Sequence, residues 1–365
     1  MRASIHLSFL LPFICISHAA DTPRPALNGQ HWTVTHSQLF RAGPPGSFDE
    51  IAVKDPTIVQ HEGQWHVFYT AKPKSSKERV PAELGYATAS SLEGLHKAEH
   101  IQMLPILGGV MIAPQVFYFA PQKLWYLIGH TLVDKKLQPV FSTNPDIANV
   151  QGWIPMQRLQ TNRQATRTWI DFWVICDEAK AHLFYSDHTD KLWRMECPLA
   201  EFPQGLSSAQ EQLALQASGV SERGAWNFHE AAHIYRVQSD GRYLALLEGG
   251  YSHPVRKNVM EARDSRNRFM LAFTAERLEG PWTRVEPSEN EFLAERDHLF
   301  NPDGTRCLRY TQVSHPELIR SGIDQRLEVP DYRLKLLFQG FDGSQVKDDY
   351  NYNDLPWELA IMENR

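Results

Sequence analysis

Five polar side chains stand inside otherwise apolar, extended stretches of this 365-residue chain: Asp55, Gln115, Asp171, Glu230 and His315. A carboxyl group in such a setting must be hydrogen-bonded, paired or protonated, because desolvating a lone charge is very costly. Two carboxyl groups flanking one pocket can cleave an acetal, one as general acid and the other as general base on water. Glu230 is followed by Ala231, Ala232, Ile234 and Tyr235, and these neighbours predict a raised pKa and a proton to give away. Asp55 follows Lys54, and a nearby cation predicts an ionised carboxylate, as a base needs. Asp171 is then a third carboxyl that orients the substrate or tunes the acid. Each also has an ordinary structural reading: an Asx-turn for Asp-Pro-Thr, a hydrogen-bonded strand aspartate, a satisfied core glutamate. His315 reads either as a hydrogen-bonded core histidine or as a ligand to a hydrated metal.

The elements that must position these groups read as strands. Trp169-Ile170-Asp171-Phe172-Trp173-Val174-Ile175-Cys176-Asp177 is rich in aromatic and β-branched residues and predicts a strand buried on both faces. The same layout recurs in five units. They begin at Lys54, Ala113, Trp169, His229 and Val313, and each continues into two further strands. The lead polar residues are separated by 60, 56, 59 and 85 positions. A repeat of that size with several strands per unit predicts an all-β, five-bladed β-propeller, with an irregular β-sandwich as the alternative. In a propeller the innermost strand of each blade lines the axis, so the five lead positions would converge at one end of a channel. Residues 21–50 predict a leader with one short strand, His31 to Thr35, and Pro203 to Ser221 reads as helix or loop.

Residues 1–20 have the build of a secretory signal peptide: Arg2, a mostly apolar run from Ile5 to Ile16, and small residues near Ala19 and Ala20. Residues 21–365 then form one domain outside the cell or in the periplasm. The apolar run is too short to span a bilayer, and no later stretch is long enough. Net charge is −6, with no basic cluster, which argues against nucleic-acid and anionic-membrane partners. Cys176, Cys197 and Cys307 are odd in number and widely spaced, unlike a disulfide scaffold or a zinc site, although one pair is free to bridge. His229 and His233 are four apart, but that zinc spacing needs a helix. No phosphate-cradling glycine loop and no Gly-x-Ser-x-Gly elbow is present. Aromatic richness in an acidic, secreted β protein fits a neutral glycan partner.

Several runs together resemble glycoside hydrolase family 62, the α-L-arabinofuranosidases. They are Lys54-Asp55-Pro56-Thr57, Ala113 to Pro121, Trp169 to Asp177, Phe228-His229-Glu230-Ala231, Val313 to Arg320, and Tyr352-Asn353 before Leu355-Pro356. The resemblance runs in order from about residue 30 to the C-terminus. It implies an enzyme that removes arabinofuranose from arabinoxylan or arabinan with inversion, and the chain is expected to be a monomer. In that family's pattern Asp55 is the base, Glu230 the acid and Asp171 the modulator of the acid. Lys54, Gln115, Tyr352 and Asn353 fall at or near substrate contacts, and His315 falls where the family helps hold a calcium ion. The chain departs from the pattern at Leu271, where a sugar-facing arginine is expected. A preceding insertion, Gly249 to Arg268, carries Arg256, Arg263, Arg266 and Arg268, any of which is a candidate replacement. Rival readings are a related xylosidase or furanosidase and a glycan-binding propeller without catalysis.

Overall fold

The computed structural model describes residues 27, 31–74, 82–159, 169–187, 189–251, 268–285, 291–346 and 354–364. The signal segment, Arg256, Arg263, Arg266, Tyr352 and Asn353 lie outside the described residues. The chain is a five-bladed β-propeller. Blade 1 is Ala52–His61, Gln64–Lys72, Glu83–Ala89 and Ile101–Gln102. Blade 2 is Ile112–Phe119, Leu124–Val133, Lys136–Asn144 and Gln157–Arg158. Blade 3 is Ile170–Cys176, Lys180–Ser186, Lys191–Pro198 and Gln212–Gln216. Blade 4 is built on Gly224–Val237, Tyr243–Tyr251, Arg268–Ala275 and Thr283–Arg284.

Blade 5 closes the ring with both ends of the chain. Its inner strands are Ser314–Leu318, Lys335–Gly340 and Glu358–Asn364, and Trp32–Phe40 pairs antiparallel outside the last of these, with Trp32 opposite Asn364 and Val34 opposite Met362. The short leader strand expected at His31 to Thr35 is therefore longer and belongs to the last blade. Propellers leave only short edges exposed, and joining the termini in one sheet keeps the ring from opening. Pro203 to Ser221 departs from expectation as well: after the 3-10 turn Gln204–Ser207 it forms the outer strand of blade 3 and a strand of the crossover hairpin, Ser218–Ser221. The outer strand, Gln212-Leu213-Ala214-Leu215-Gln216, buries only Leu215 and leaves Leu213 exposed, so it carries little strand periodicity to read. Cys176, Cys197 and Cys307 are buried and unbridged. Among the described residues no helix is long and apolar enough to cross a membrane.

The five innermost strands share an interruption. Each loses register with its neighbour at one residue of positive φ: Asp55 (45°), Ala113 (47°), Asp171 (53°), Ala231 (53°) and His315 (48°). None is glycine, and left-handed backbone at such residues costs of order 1–3 kcal/mol each. A bulge re-aims the side chains around it, and bulges gather next to active sites. This ring corrects the alignment of the repeat. The true equivalents of Asp55 and Asp171 are Ala113 and Ala231, not Gln115 and Glu230. Glu230 sits one residue before its bulge, level with Lys54, and Gln115 sits two residues after, level with Thr57, Trp173, His233 and Glu317.

That lower level packs the channel. Trp173 is fully buried, stacks on His233 with ring centroids 4.0 Å apart, and donates its indole N–H to the carbonyl of Ile234 at 2.8 Å. Arg320 bridges blades 1 and 2 beneath it, donating to the carbonyls of Ile58 and Val116 at 3.0 Å each. Trp173→Ala is expected to destabilise the fold by about 3–5 kcal/mol, seen as a lower denaturation midpoint with the slope unchanged.

Candidate active site

The bulges bring Asp55, Asp171, Glu230 and His315 to one mouth of the channel. Asp55 is buried on the inner strand of blade 1, and its backbone N–H donates to Gln339 Oε1 at 2.6 Å. One carboxylate oxygen lies 3.5 Å from Lys54 Nζ and 3.5 Å from His315 Nδ1. Burial pushes the Asp55 carboxyl up, but Lys54 leads the groups that outweigh it, and the net shift is downward. His315 is itself pushed down to about 3 by burial and is neutral, so Lys54 is the cation that keeps Asp55 charged. Lys54 is held near the Trp357 ring, 5.8 Å from its centroid.

Asp171 is buried on blade 3, and one of its carboxyl oxygens accepts the N–H of Ala231 at 2.9 Å, the residue after Glu230. Burial, then the negative charges of Glu230, Asp55 and Glu248, raise its pKa well above the ordinary value of 3.8. The folded protein thus keeps a proton on Asp171 that the unfolded chain has lost. Stability from this group is present below about pH 4 and drains as pH rises toward the folded pKa. Asp171→Asn, which mimics the neutral acid, is expected to equal the parent in stability near pH 4 and exceed it at pH 7. Denaturant midpoints at the two pH values check this.

Glu230 is half-buried at the funnel wall, where Arg268 Nη1 donates to its Oε1 at 2.8 Å. The expectation of a raised pKa from apolar neighbours does not hold. Burial does push Glu230 up, but the charge and hydrogen bond of Arg268, with Lys54 and His229 behind them, bring it down to about 2. The alanines beside Glu230 in sequence are not what its carboxyl meets. Arg268 is, carried to the start of its strand by the insertion. Leu271 is fully buried and pairs with Leu247. Of the four candidate arginines, Arg268 is the one the described structure places at the site.

Sequence reasoning missed Glu248. It is fully buried on the second strand of blade 4, bonded to Arg268 through Oε1, and its Oε2 accepts Ser314 Oγ at 2.8 Å and His315 N at 2.7 Å. A lone glutamate after Leu246-Leu247 was the only signal. Gln115 is brought close but turned to another use. Its amide donates to the carbonyl of Val174 and accepts the N–H of Val174, both at 2.7 Å, tying blade 2 to blade 3.

The site therefore favours an ionised carboxylate on one side and, on the other, two carboxyls of which Asp171 holds a proton more readily than Glu230. Residues 31–363 match the family model for glycosyl hydrolase family 62. The chain is 30% identical over 335 residues to α-L-arabinofuranosidase C of Cellvibrio japonicus, covering 91% of this chain and 46% of that protein, so it spans about half the relative's length. The catalytic domain of a family 62 α-L-arabinofuranosidase from Coprinopsis cinerea superposes with a TM-score of 0.73 at 30% identity, covering 91% of this chain and 96% of that one. An α-L-arabinofuranosidase from Podospora anserina, solved with cellotriose, also gives 0.73, at 28% identity and 92% and 97% coverage. With its fold, its axial carboxyls and a match over nearly its whole described length, the chain belongs to glycosyl hydrolase family 62.

Proposed function

We propose that this protein is a secreted α-L-arabinofuranosidase that removes arabinofuranosyl side groups from arabinoxylan or arabinan with inversion. The observation that carries the reading is the unlike setting of the two walls: Asp55 lies 3.5 Å from Lys54 Nζ, which favours its ionised form, and Asp171 is buried among other carboxyls, which favours its protonated form. Asp55 takes the proton from an attacking water. Glu230 delivers a proton to the departing glycosidic oxygen. Asp171 and Glu230 hold that proton as a pair. At rest it sits on Asp171, and the productive complex has it on Glu230. Inversion and the choice of sugar follow the family resemblance.

A polymeric substrate is supported by what flanks the funnel. The hairpin formed by Ser218–Ser221 and the start of Gly224–Val237 rises on the same face, since Glu230 follows it by a few residues. Beside it lies an open groove of about 580 Å³, lined by Thr189, Asp190, Ser218, Val220 and Asn227 among others. Hydroxyl, carboxylate and amide groups around an apolar patch suit a sugar backbone. The test is product release from arabinoxylan. Arabinose without xylose, appearing first as the inverted anomer by proton NMR, is expected. Xylose release would replace the reading with a xylosidase, and binding without any release would leave a glycan-binding propeller.

Calcium is part of the same proposal. His233 Nδ1 is buried without a hydrogen-bond partner, and its ring meets that of His315 edge to face at 5.1 Å. The oxygens nearby are largely engaged: Gln115 on Val174, and Glu317 with Tyr235 Oη at 3.3 Å and Thr57 Oγ1 at 3.4 Å. Calcium prefers oxygen donors and the protein oxygens here are engaged, so an ion at this level would take His315 as its protein ligand and water for the rest of its shell. Such an ion would supply positive charge near Asp55. Elemental analysis is expected to find one calcium per chain, and chelation to lower the melting temperature. No divalent ion together with an unchanged melting curve would remove calcium from the reading.

A further inference from the structure

Glu248 is a fully buried carboxylate to which the proposed chemistry gives no task. Its two oxygens are both spent, in opposite directions. Oε1 takes Arg268 Nη1, the same nitrogen that donates to Glu230. Oε2 takes the hydroxyl of Ser314 and the backbone N–H of His315. Ser314 Oγ in turn accepts Gln339 Nε2 at 2.9 Å, and Gln339 Oε1 accepts the Asp55 N–H. One side chain on blade 4 therefore reaches the acid through a cation. It reaches the backbone of the base through two hydrogen-bonded residues of blade 5.

We infer that Glu248 is a positioning residue for the proton donor: by accepting from the same Arg268 nitrogen that donates to Glu230, it holds that arginine between the two carboxylates and keeps it from pairing wholly with Glu230. This rests on the reading of Glu230 as the general acid. An arginine drawn wholly onto Glu230 would hold that carboxylate ionised more firmly than the shared one does and turn it into the wall, away from the position where it takes up and aims a proton. A second buried anion on the same nitrogen draws Arg268 back. The bonds to Ser314 and His315 prevent Glu248 from following the arginine toward the funnel.

The charge distribution separates this role from plain structural support. A general acid matters most when the leaving group is poor, because a good leaving group departs without a proton. Glu248→Gln keeps the shape and the acceptor for Ser314 and His315 but gives up the anion. It is expected to lower kcat about 10–100-fold on arabinoxylan, a fraction of what general-acid catalysis supplies. On nitrophenyl α-L-arabinofuranoside the loss should stay below about threefold, with KM little changed. Glu248→Asp, which retains the anion, is expected to recover most of the lost rate on the polymer.

Equal losses on both substrates, in protein with the parent's melting curve, would overturn the proposal and leave Glu248 a structural group. So would full activity of Glu248→Gln on the polymer, or a Glu248→Asp variant no better than Gln. A parent protein that turns over neither substrate would remove the enzymatic reading, and this proposal with it. Equal losses leave the enzymatic reading intact.

Discussion

Asp55→Asn is expected to reduce kcat by about 10²–10⁴-fold on every arabinofuranoside, whatever its leaving group. The amide cannot take a proton from water, and the attack on the anomeric carbon needs that proton removed for good and poor leaving groups alike. KM should change little, because asparagine keeps the size of the side chain, and the bulge backbone stays tied to Gln339 through its own N–H. The parent's acidic limb reports ionisation of Asp55. Lys54 holds that carboxyl below its ordinary value, so activity should persist to low pH and fall only as Asp55 takes a proton. In Asp55→Asn this limb disappears from the residual rate. A variant with parental kcat on nitrophenyl arabinofuranoside would show that Asp55 is not the base.

Glu230→Gln is the second large effect, and it should depend on the substrate. A loss of about 10²–10⁴-fold in kcat is expected on arabinoxylan, where the departing sugar oxygen needs a proton. On nitrophenyl arabinofuranoside the loss should be many times smaller. The parent's alkaline limb belongs to the Asp171–Glu230 pair rather than to either residue. Asp171, raised by burial and by the charge of Glu230, holds its proton to higher pH than Glu230, which Arg268 brings down to about 2. Removing Glu230 should abolish the alkaline limb on the polymer. Losses that match on the two substrates would mean that Glu230 acts other than by proton donation.

The two variants divide the chemistry along the line the fold draws. Asp55 stands on blade 1 with its cation next to it in sequence. Glu230 stands on blade 4 with its cation supplied from two strands away in the same blade. Asp171 sits between them on blade 3 and touches the acid's own backbone, through Ala231, rather than its carboxyl. Its effect on Glu230 is a matter of charge and of one hydrogen bond that sets the bulge.

The sequence alone was enough for the propeller and for the axial convergence of Asp55, Asp171, Glu230 and His315. Strand periodicity is a local property, and a repeat near 60 residues allows few closed architectures. The pairing of Asp55 with Lys54 was legible for the same reason: the partners are adjacent along the chain. What tertiary structure alone decided was every contact between strands. Register shifts in the five innermost strands fix which residues share a level, and they put Gln115 below the funnel and Glu230 one step above its bulge. The direction of the Glu230 shift turned on Arg268, 38 residues away, and Arg268 on Glu248, 20 residues from it. Electrostatics in a buried site depends on distance in space. Residues two strands apart set it, and no window along the chain contains them.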